Sequence, residues 1–233
     1  MYNQSSGQYL MGCARATSGA REVDTGQGIL QGHAYGILDV VVTSSGDQLI
    51  KCRNPWGCSE WKGAWSDDSS EWTPALKQEL NMVEADDGVF WISYDDFVQQ
   101  YSKIYVVRLL DDTWNQYLYK TRWAGSNAGG CCNHSTWTNN HQFIITLEAE
   151  AEVILSLQIR DPRQTGRNDM YIGFCLFKCD GSRVTSYRKP VLQSPISNMR
   201  EAVMEATLAP GSYAMLPFTF EAGQEGDYFV SIY

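Results

Sequence analysis

The chain has 233 residues with 18 basic and 27 acidic side chains, and its formal net charge at pH 7 is −9. This length allows one large domain or two ordinary ones, and we expect two, each able to bury its own core. The acidic balance argues against nucleic acid as a partner and favours cation binding or simple solubility. Aromatic residues make up 12% of the chain, which indicates a globular protein rather than a disordered one.

The seven cysteines are odd in number, and their spacing matches no familiar disulfide framework. They predict free thiols in a reducing compartment. The opening residues have neither the basic start nor the apolar centre of a signal peptide, and no apolar stretch approaches the length of a membrane span. We therefore expect a soluble, cytoplasmic protein.

The first part of the chain predicts a sheet with two short helices. An apolar, β-branched run, the turn Ser44–Asp47 and a second strand are typical of a hairpin. Ser93 followed by Asp96 predicts a helix start resembling a capping box, with Phe97 and Val98 facing inward. The predicted elements are the strands Tyr9–Arg15, Ala34–Thr43, Gln48–Arg53, Gly88–Ile92 and Ile104–Leu109 and the helices Pro74–Leu80 and Tyr94–Tyr101.

Beyond Asp111 and Asp112, where we place the domain boundary, the sequence predicts strands almost alone. Short strands separated by turns of Gly, Pro and Asn are typical of an antiparallel sandwich. The predicted strands are Gln116–Thr121, His141–Leu147, Val153–Ile159, Met170–Phe177, Ala202–Leu208, Ser212–Phe218 and Asp227–Tyr233. We expect one domain over residues 1–110 and another over residues 111–233.

Two polar residues flank the predicted hairpin. His33 precedes its first strand and Asn54 follows its second, so the two can meet because hairpin strands lie side by side. Taken alone, His33 could be satisfied by backbone groups, and an asparagine before Pro55 is a common turn residue. Together they favour a catalytic pair in which the asparagine orients the histidine and the histidine activates a thiol. Trp56 could shield the hydrogen bond between them from water.

Several sequence motifs in this region are specific. They are Gly32-His33-Ala34-Tyr35, Arg53-Asn54-Pro55-Trp56-Gly57, Glu60-Trp61-Lys62-Gly63-Ala64-Trp65-Ser66-Asp67 and Asp87-Gly88-Val89-Phe90-Trp91-Ile92-Ser93-Tyr94-Asp95-Asp96-Phe97. These motifs resemble the second half of the calpain protease core. Later motifs resemble the opening and closing strands of the β-sandwich called calpain domain III: Gly129-Gly130-Cys131, Trp137-Thr138-Asn139-Asn140-His141-Gln142-Phe143, Pro210-Gly211-Ser212-Tyr213, Pro217-Phe218-Thr219-Phe220-Glu221 and Glu225-Gly226-Asp227-Tyr228.

The resemblance implies both a fold and an activity. The fold is of the α+β class: a partial papain-like protease subdomain, with an antiparallel sheet and short helices, followed by an antiparallel β-sandwich. The activity is that of a calcium-dependent, intracellular cysteine endopeptidase. In this activity His33, Asn54 and Trp56 are the catalytic residues that this chain would contribute.

The resemblance also implies a calcium site. Glu60, Asp67 and Asp87 stand where the calpain second half binds calcium, and a backbone carbonyl, such as that of Ala85, would complete the oxygen ligands that a hard cation prefers. Val89 stands where the family often has another carboxylate, so the implied site is weakened. Solvated acidic loop residues are the alternative interpretation.

The catalytic nucleophile is where the sequence departs from the family. In papain-like enzymes the cysteine lies far upstream of the histidine, whereas Cys13 is the only cysteine before His33 here. Gly12-Cys13-Ala14 matches a strand of the second half and not the family motif Gln-Gly-x-x-Gly-Asp-Cys-Trp. Cys13 is therefore predicted to be a buried core thiol, which is unreactive.

Two functional hypotheses remain open. The chain is either the C-terminal portion of a calpain-like endopeptidase, inactive alone, or a non-catalytic calpain-like binding module. The first hypothesis implies protein substrates and the missing catalytic half as partners. The second implies a protein or a phospholipid bound by the sandwich, for which a basic loop with Arg160, Arg163 and Arg167 is a weak signal beside a simple solvated loop.

Cys131, Cys132, His134 and His141 could suggest a zinc site. Their spacing is irregular, however, and favours a structural role.

Overall fold

The computed structural model describes residues 9–17, 19, 22–161 and 170–233. The chain forms two compact units, Met1–Asp111 and Asp112–Tyr233. The chain is mostly β, and the strands of each sheet pair in antiparallel fashion. Of the predicted α+β character, the described residues contain two short α-helices, both in the first unit.

The first unit is built on one five-stranded sheet, in the order β6-β5-β4-β1-β7, with β2 and β3 paired separately. Its elements are β1 (Tyr9–Ala14), β2 (Val23–Asp24), β3 (Leu30–Gln31), β4 (Ala34–Val42), β5 (Gln48–Arg53), α1 (Pro74–Glu79), β6 (Val89–Ser93), α2 (Tyr94–Gln100) and β7 (Lys103–Arg108). The predicted hairpin is confirmed as β4 and β5. Its turn closes through hydrogen bonds between Thr43 and both Gly46 and Asp47, and Gly46 has the positive φ of 93° that the turn requires.

The two helices begin as the sequence predicts. The Thr73 hydroxyl accepts the backbone N–H of Leu76, and the Ser93 hydroxyl accepts that of Asp96, so each side chain satisfies one free donor of a helix start. On α2, Phe97 is buried but Val98 is 51% exposed. The prediction that Val98 faces inward is wrong, because consecutive residues on a helix point in different directions and α2 packs through one face.

Two clusters of buried side chains hold the first unit together. One lies around β1, β4, β5 and α2. The other packs tryptophans from the segment after β5 against the sheet, with the rings of Trp65 and Trp72 in edge-to-face contact at 5.0 Å and Trp72 against Trp91 at 6.4 Å. The first cluster consists of Cys13, Ile29, Tyr35, Ile37, Ile50, Cys52, Trp61, Phe90, Ile92, Phe97 and Tyr101.

The second unit contains two four-stranded antiparallel sheets, in the orders β13-β10-β15-β8 and β12-β11-β14-β9. The strands are β8 (Tyr117–Trp123), β9 (Phe143–Leu147), β10 (Ala151–Ile159), β11 (Ile172–Cys179), β12 (Leu192–Gln193), β13 (Glu201–Leu208), β14 (Gly211–Thr219) and β15 (Gly226–Ile232). One hydrophobic core takes side chains from both sheets, including the stacked rings of Trp123 and Tyr228, 3.9 Å apart. The predicted strands are confirmed to within a few residues, and β12 is an addition to them.

The two faces of β11 have different neighbours. Phe174 and Leu176 point into the core shared by the two sheets, whereas Cys175 and Phe177 point the other way, as the alternation of a strand requires. The opposite face is covered by the segment between β8 and β9, which contributes Trp137 to a smaller buried cluster.

In the predicted basic loop, Arg163 and Arg167 lie outside the described residues. The part of the chain that the structure describes has no helix long and apolar enough to cross a membrane.

Candidate active site

The hairpin brings His33 and Asn54 together. His33 lies just before β4 and Asn54 just after β5, and the register that pairs Gly36 with Arg53 places their side chains at the same end of the two strands. The His33 Nε2 and Asn54 Oδ1 atoms are 2.8 Å apart. Both residues are buried, Asn54 completely. The predicted pair is therefore a buried hydrogen bond.

The orientation of the Asn54 amide is set by its surroundings. Its Nδ2 donates to the carbonyl oxygens of Cys58, at 2.7 Å, and Ser59, at 2.9 Å. An amide nitrogen has two hydrogens to donate, so this arrangement turns the Oδ1 atom towards the imidazole. The same oxygen accepts the backbone N–H of Trp56 at 3.1 Å. The loop after β5 thus presents a fixed acceptor to His33.

Trp56 lies against the His33 ring. The ring centroids are 4.7 Å apart and the planes are tilted by 54°. Trp56 is nevertheless 55% exposed, so one part of the indole contacts the imidazole while the rest faces solvent. Tyr35 contacts the imidazole in an edge arrangement at 5.0 Å. These two aromatic rings limit the access of water to the histidine.

The second ring nitrogen of His33 has a partner that the sequence prediction missed. The Nδ1 atom lies 2.8 Å from Oε1 of Glu22, whose side chain is 38% exposed. Both atoms that face the ring, Glu22 Oε1 and Asn54 Oδ1, are acceptors. The ring can donate to both only as the doubly protonated imidazolium. Glu22 thus supplies an anionic partner at the nitrogen opposite the asparagine.

A local sequence signal for Glu22 does exist. Val23 pairs with Gln31 in the small β2–β3 ladder, and continuing that register one step brings Glu22 beside the residues that precede β4. The turn between β2 and β3 uses two glycines with positive φ, Gly26 at 84° and Gly28 at 83°. At Gly28 a Cβ atom would lie 1.7 Å from the Glu60 carbonyl oxygen. In the sequence, Gly26 and Gly28 indicate the short hairpin that places Glu22 near His33.

In the described part of the chain, no thiol is hydrogen-bonded to His33. The two ring nitrogens of His33 face Glu22 and Asn54 instead. Cys13 and Cys52 are completely buried in the core of the first unit. Burial, with a smaller contribution from the neighbouring Cys13 thiol, raises the pKa of Cys52 well above its ordinary value. The prediction that Cys13 is a core thiol is confirmed by its burial.

The three residues predicted to bind calcium hold one loop by accepting backbone hydrogen bonds. Oε1 of Glu60 accepts the N–H groups of Asp87, at 3.1 Å, and Gly88, at 2.7 Å. Oδ2 of Asp67 accepts the N–H of Ala85 at 3.0 Å, and Oδ1 of Asp87 accepts that of Val89 at 2.9 Å. The carboxylates are therefore neighbours around the segment that leads into β6.

The surroundings of Glu60 and Asp67 disfavour the charged form of both carboxyl groups. Partial burial is the largest cause that raises the pKa of Glu60, and the charge of Asp67 adds to it. Partial burial and the charges of Asp87 and Asp68 likewise raise the pKa of Asp67. A bound cation would relieve this repulsion. Among the described residues, no group of three or more His, Cys, Asp or Glu side chains that could hold a metal ion is found, and calcium binding by these carboxylates stays a prediction.

The residues considered for zinc are used in structural contacts. Nδ1 of His141 lies 2.8 Å from the hydroxyl of Tyr228, and Nε2 of His134 lies 3.1 Å from the carbonyl oxygen of Phe220. The absence of a metal-holding group among the described residues applies here as well. These hydrogen bonds occupy one ring nitrogen of each histidine.

Family models match the two units separately. The model described as calpain family cysteine protease matches residues 1–108, and the model described as calpain large subunit, domain III, matches residues 119–233. The chain belongs to the calpain family. Its predicted motifs therefore lie in the two modules that those models describe.

Curated relatives extend the match over nearly the whole chain. The chain is 34% identical to calpain-8 of Rattus norvegicus over an alignment 269 positions long, which covers 96% of this chain and 38% of the relative. It is 32% identical to the calpain-1 catalytic subunit of the same organism, covering 96% and 37%, and 31% identical to calpain-A of Drosophila melanogaster, covering 96% and 33%. The chain thus spans less than two fifths of the length of these relatives.

Proposed function

We propose that this chain forms the histidine and asparagine part of a calpain-like cysteine endopeptidase, together with the β-sandwich that follows it. The observation that carries the proposal is the buried hydrogen bond between His33 Nε2 and Asn54 Oδ1, with the asparagine amide oriented by two backbone carbonyls. Such an arrangement holds Nε2, and the other ring nitrogen, Nδ1, would act on a thiol once Glu22 has moved away from it. The fold class that goes with it is a partial papain-like α+β subdomain followed by a sandwich.

The chemistry assigned to each residue follows from this geometry. His33 takes the proton of a cysteine thiol, forms the thiolate–imidazolium pair and later protonates the leaving amine of the peptide. Asn54 holds the imidazole in position through the cycle, and Trp56 covers their hydrogen bond. The thiol and the oxyanion-stabilising donor are supplied by polypeptide outside these 233 residues, so the isolated chain is expected to be inactive towards peptides.

The test is an assay of the chain with and without the polypeptide that precedes it in its transcript. We expect the upstream sequence to contain Gln-Gly-x-x-Gly-Asp-Cys-Trp and the extended protein to cleave a fluorogenic peptide in a thiol-dependent way. His33→Ala should lower that rate by at least about a thousandfold, and the present chain alone should show no cleavage. Thiol-blocked cleavage by the chain alone would refute the division of the site.

Calcium binding at Glu60, Asp67 and Asp87 is a finer part of the proposal. Its support is that partial burial, with repulsion from neighbouring carboxylates, raises the pKa of Glu60 and Asp67. It requires the loop before β6 to rearrange so that the carboxylates converge. We expect millimolar calcium to change the tryptophan fluorescence of the chain, since Trp61 and Trp65 lie in the same segment, and Asp67→Asn to remove the change. A response that survives in Asp67→Asn would place calcium elsewhere.

The second candidate is a non-catalytic calpain-like module that binds a protein or a phospholipid through its sandwich in the cytoplasm. One observation favours it: a carboxylate, Glu22, stands at the His33 nitrogen that catalysis would require for the thiol. Sedimentation of the chain with vesicles containing phosphatidylserine, compared with neutral vesicles, tests the lipid form. Binding without any upstream cysteine motif in the transcript would favour this candidate over the enzyme.

A further inference from the structure

Two thiols from distant parts of the second unit meet at a cavity that the proposed function does not use. Cys132 lies in the segment between β8 and β9, and Cys175 lies in the middle of β11 on the face turned away from the shared core. Both line a cavity of about 220 Å³, together with Tyr187, Pro190 and Phe218. A space of this size admits a small oxidant to both sulfur atoms.

The two thiols differ in their environment. Cys132 is half-buried and Cys175 is almost fully buried. A hydrogen bond between their side chains lowers the pKa of Cys132. The same hydrogen bond, followed by burial, raises the pKa of Cys175. Cys132 is thus the more accessible and more easily ionised thiol, which makes it the one that an oxidant attacks first.

The segment that carries Cys132 is anchored at the position where the two thiols meet. The Asn140 side chain, which is buried, accepts the backbone N–H of Gly129 at 3.0 Å and donates to the carbonyl of Gly130 at 2.8 Å. The backbone N–H of Cys131 donates to the carbonyl of Phe220 at 3.2 Å. These bonds hold the turn against the outer face of its sheet, so the approach of the two sulfur atoms does not depend on a mobile loop.

We propose that Cys132 and Cys175 form a peroxide-responsive dithiol that closes to an intramolecular disulfide. The Cys132 thiolate attacks hydrogen peroxide, the O–O bond breaks, and Cys132 becomes a sulfenic acid while hydroxide leaves. The Cys175 thiol then attacks the Cys132 sulfur, the S–S bond forms, and the sulfenic oxygen leaves as water with the Cys175 proton. In total, two thiols are oxidised and one peroxide is reduced to two waters. This inference does not rest on the proposed endopeptidase function.

The disulfide would close a loop of roughly forty residues, and closing a loop of that size stabilises a fold by limiting the unfolded chain. It would tie the segment between β8 and β9 covalently to β11. We therefore expect the oxidised chain to unfold at a temperature several degrees above that of the reduced chain, and dithiothreitol to reverse the increase.

The test treats the full chain with hydrogen peroxide, quenches it in acid, alkylates the remaining thiols and maps the product by mass spectrometry. We expect a loss of two hydrogens and a peptide pair linked through Cys132 and Cys175. Cys132→Ser should abolish the link, and Cys175→Ser should leave a sulfenic acid on Cys132 that dimedone traps. Cys179→Ser is the matched control, since Cys179 lies on the same strand and in the same cluster, and it should retain the link.

Three results would overturn the proposal. The first is a disulfide between other cysteines, and the second is oxidation confined to the exposed Cys58. The third is conversion of Cys132 to the sulfinic acid while Cys175 stays reduced in the wild-type chain. Because Cys132 is only half-buried, Cys132→Ser is expected to fold, and it keeps the test decisive if Cys175→Ser does not.

Discussion

Oε1 of Glu22 lies 2.8 Å from Nδ1 of His33, and Oδ1 of Asn54 lies 2.8 Å from the other ring nitrogen, Nε2. A carboxylate and a thiolate are both anions that accept a hydrogen bond from an imidazolium. Glu22 thus occupies the position at His33 Nδ1 where the thiolate of a cysteine nucleophile would lie. The described residues place no cysteine there. In the complete site that we propose, this carboxylate must leave Nδ1 before a thiol can reach it.

Replacing that carboxylate with a thiol should create a reactive cysteine. In Glu22→Cys, the sulfur takes the place of the Glu22 Cγ atom, two bonds short of Oε1, so the His33 ring acts on it through charge rather than through a hydrogen bond. We expect this charge to raise the thiolate fraction near pH 6.5, where an unpaired cysteine is mostly protonated. Alkylation by iodoacetamide at that pH should be about tenfold faster than in the double variant Glu22→Cys, His33→Ala. Mass spectrometry of the labelled peptide measures both rates. Equal rates would mean that a thiol at position 22 lies too far from the imidazole to be activated by it.

Removing the Asn54 side chain should destabilise the first unit. Asn54 is fully buried, and truncation to alanine leaves the carbonyls of Cys58 and Ser59 without their donor. We expect Asn54→Ala to cost about 2–4 kcal/mol in the free energy of unfolding, since buried groups that lose their partners carry their full desolvation penalty. Urea unfolding measures it. The exposed Asn115 is the control, and Asn115→Ala should change stability by less than about 0.5 kcal/mol.

Gly88, the residue just before β6, supports the site. It has a φ of 82°, and a Cβ atom there would lie 2.7 Å from the Asn54 carbonyl oxygen and 3.0 Å from Cα of Gly57. Gly88→Ala should therefore combine backbone strain with displacement of the Asn54 turn, whereas Gly46→Ala, at a φ of 93° with nothing within 4 Å, should show strain alone. We expect Gly88→Ala to be the more destabilising by about 1–3 kcal/mol in urea unfolding. Similar costs for both would show that the turn tolerates displacement.

The acidic loop predicts a pH dependence with a definite sign. The folded-state pKa values of Glu60 and Asp67 lie above their ordinary values of 4.5 and 3.8. Between the ordinary and the raised pKa, the folded chain binds more protons than the unfolded chain, so the contribution of these groups to stability falls as pH rises through that window. Asp67→Asn removes one charge and keeps an oxygen for the Ala85 N–H.

Asp67→Asn should accordingly be more stable than the wild type at pH 7 without calcium, and the difference should shrink as the pH approaches 3.5. Asp180 provides a control of opposite sign, because hydrogen bonds from Ser182 lower its pKa. Asp180→Asn should therefore lose a little stability at pH 7. Thermal unfolding across this pH range measures both differences, and a gain for Asp67→Asn that is the same at every pH would contradict the repulsion argument.

The sequence by itself determined the local elements and the two residues at the ends of the hairpin. The β4–β5 turn and the Ser93 cap depend on neighbouring residues, so the sequence around them predicts them. His33 and Asn54 could be paired because a hairpin places the two ends of adjacent strands together. Their motifs are also sufficient to indicate the calpain family.

The tertiary structure alone decided which side chains complete each site. Glu22 reaches His33 through the register of the short β2–β3 ladder, and Cys132 reaches Cys175 because a long loop folds back over the outer face of a sheet. The same packing leaves Val98 in solvent. The meeting of Cys132 and Cys175 depends on a contact between segments far apart in sequence. Local propensity and periodicity carry no information about such contacts, because they are set by how whole elements pack.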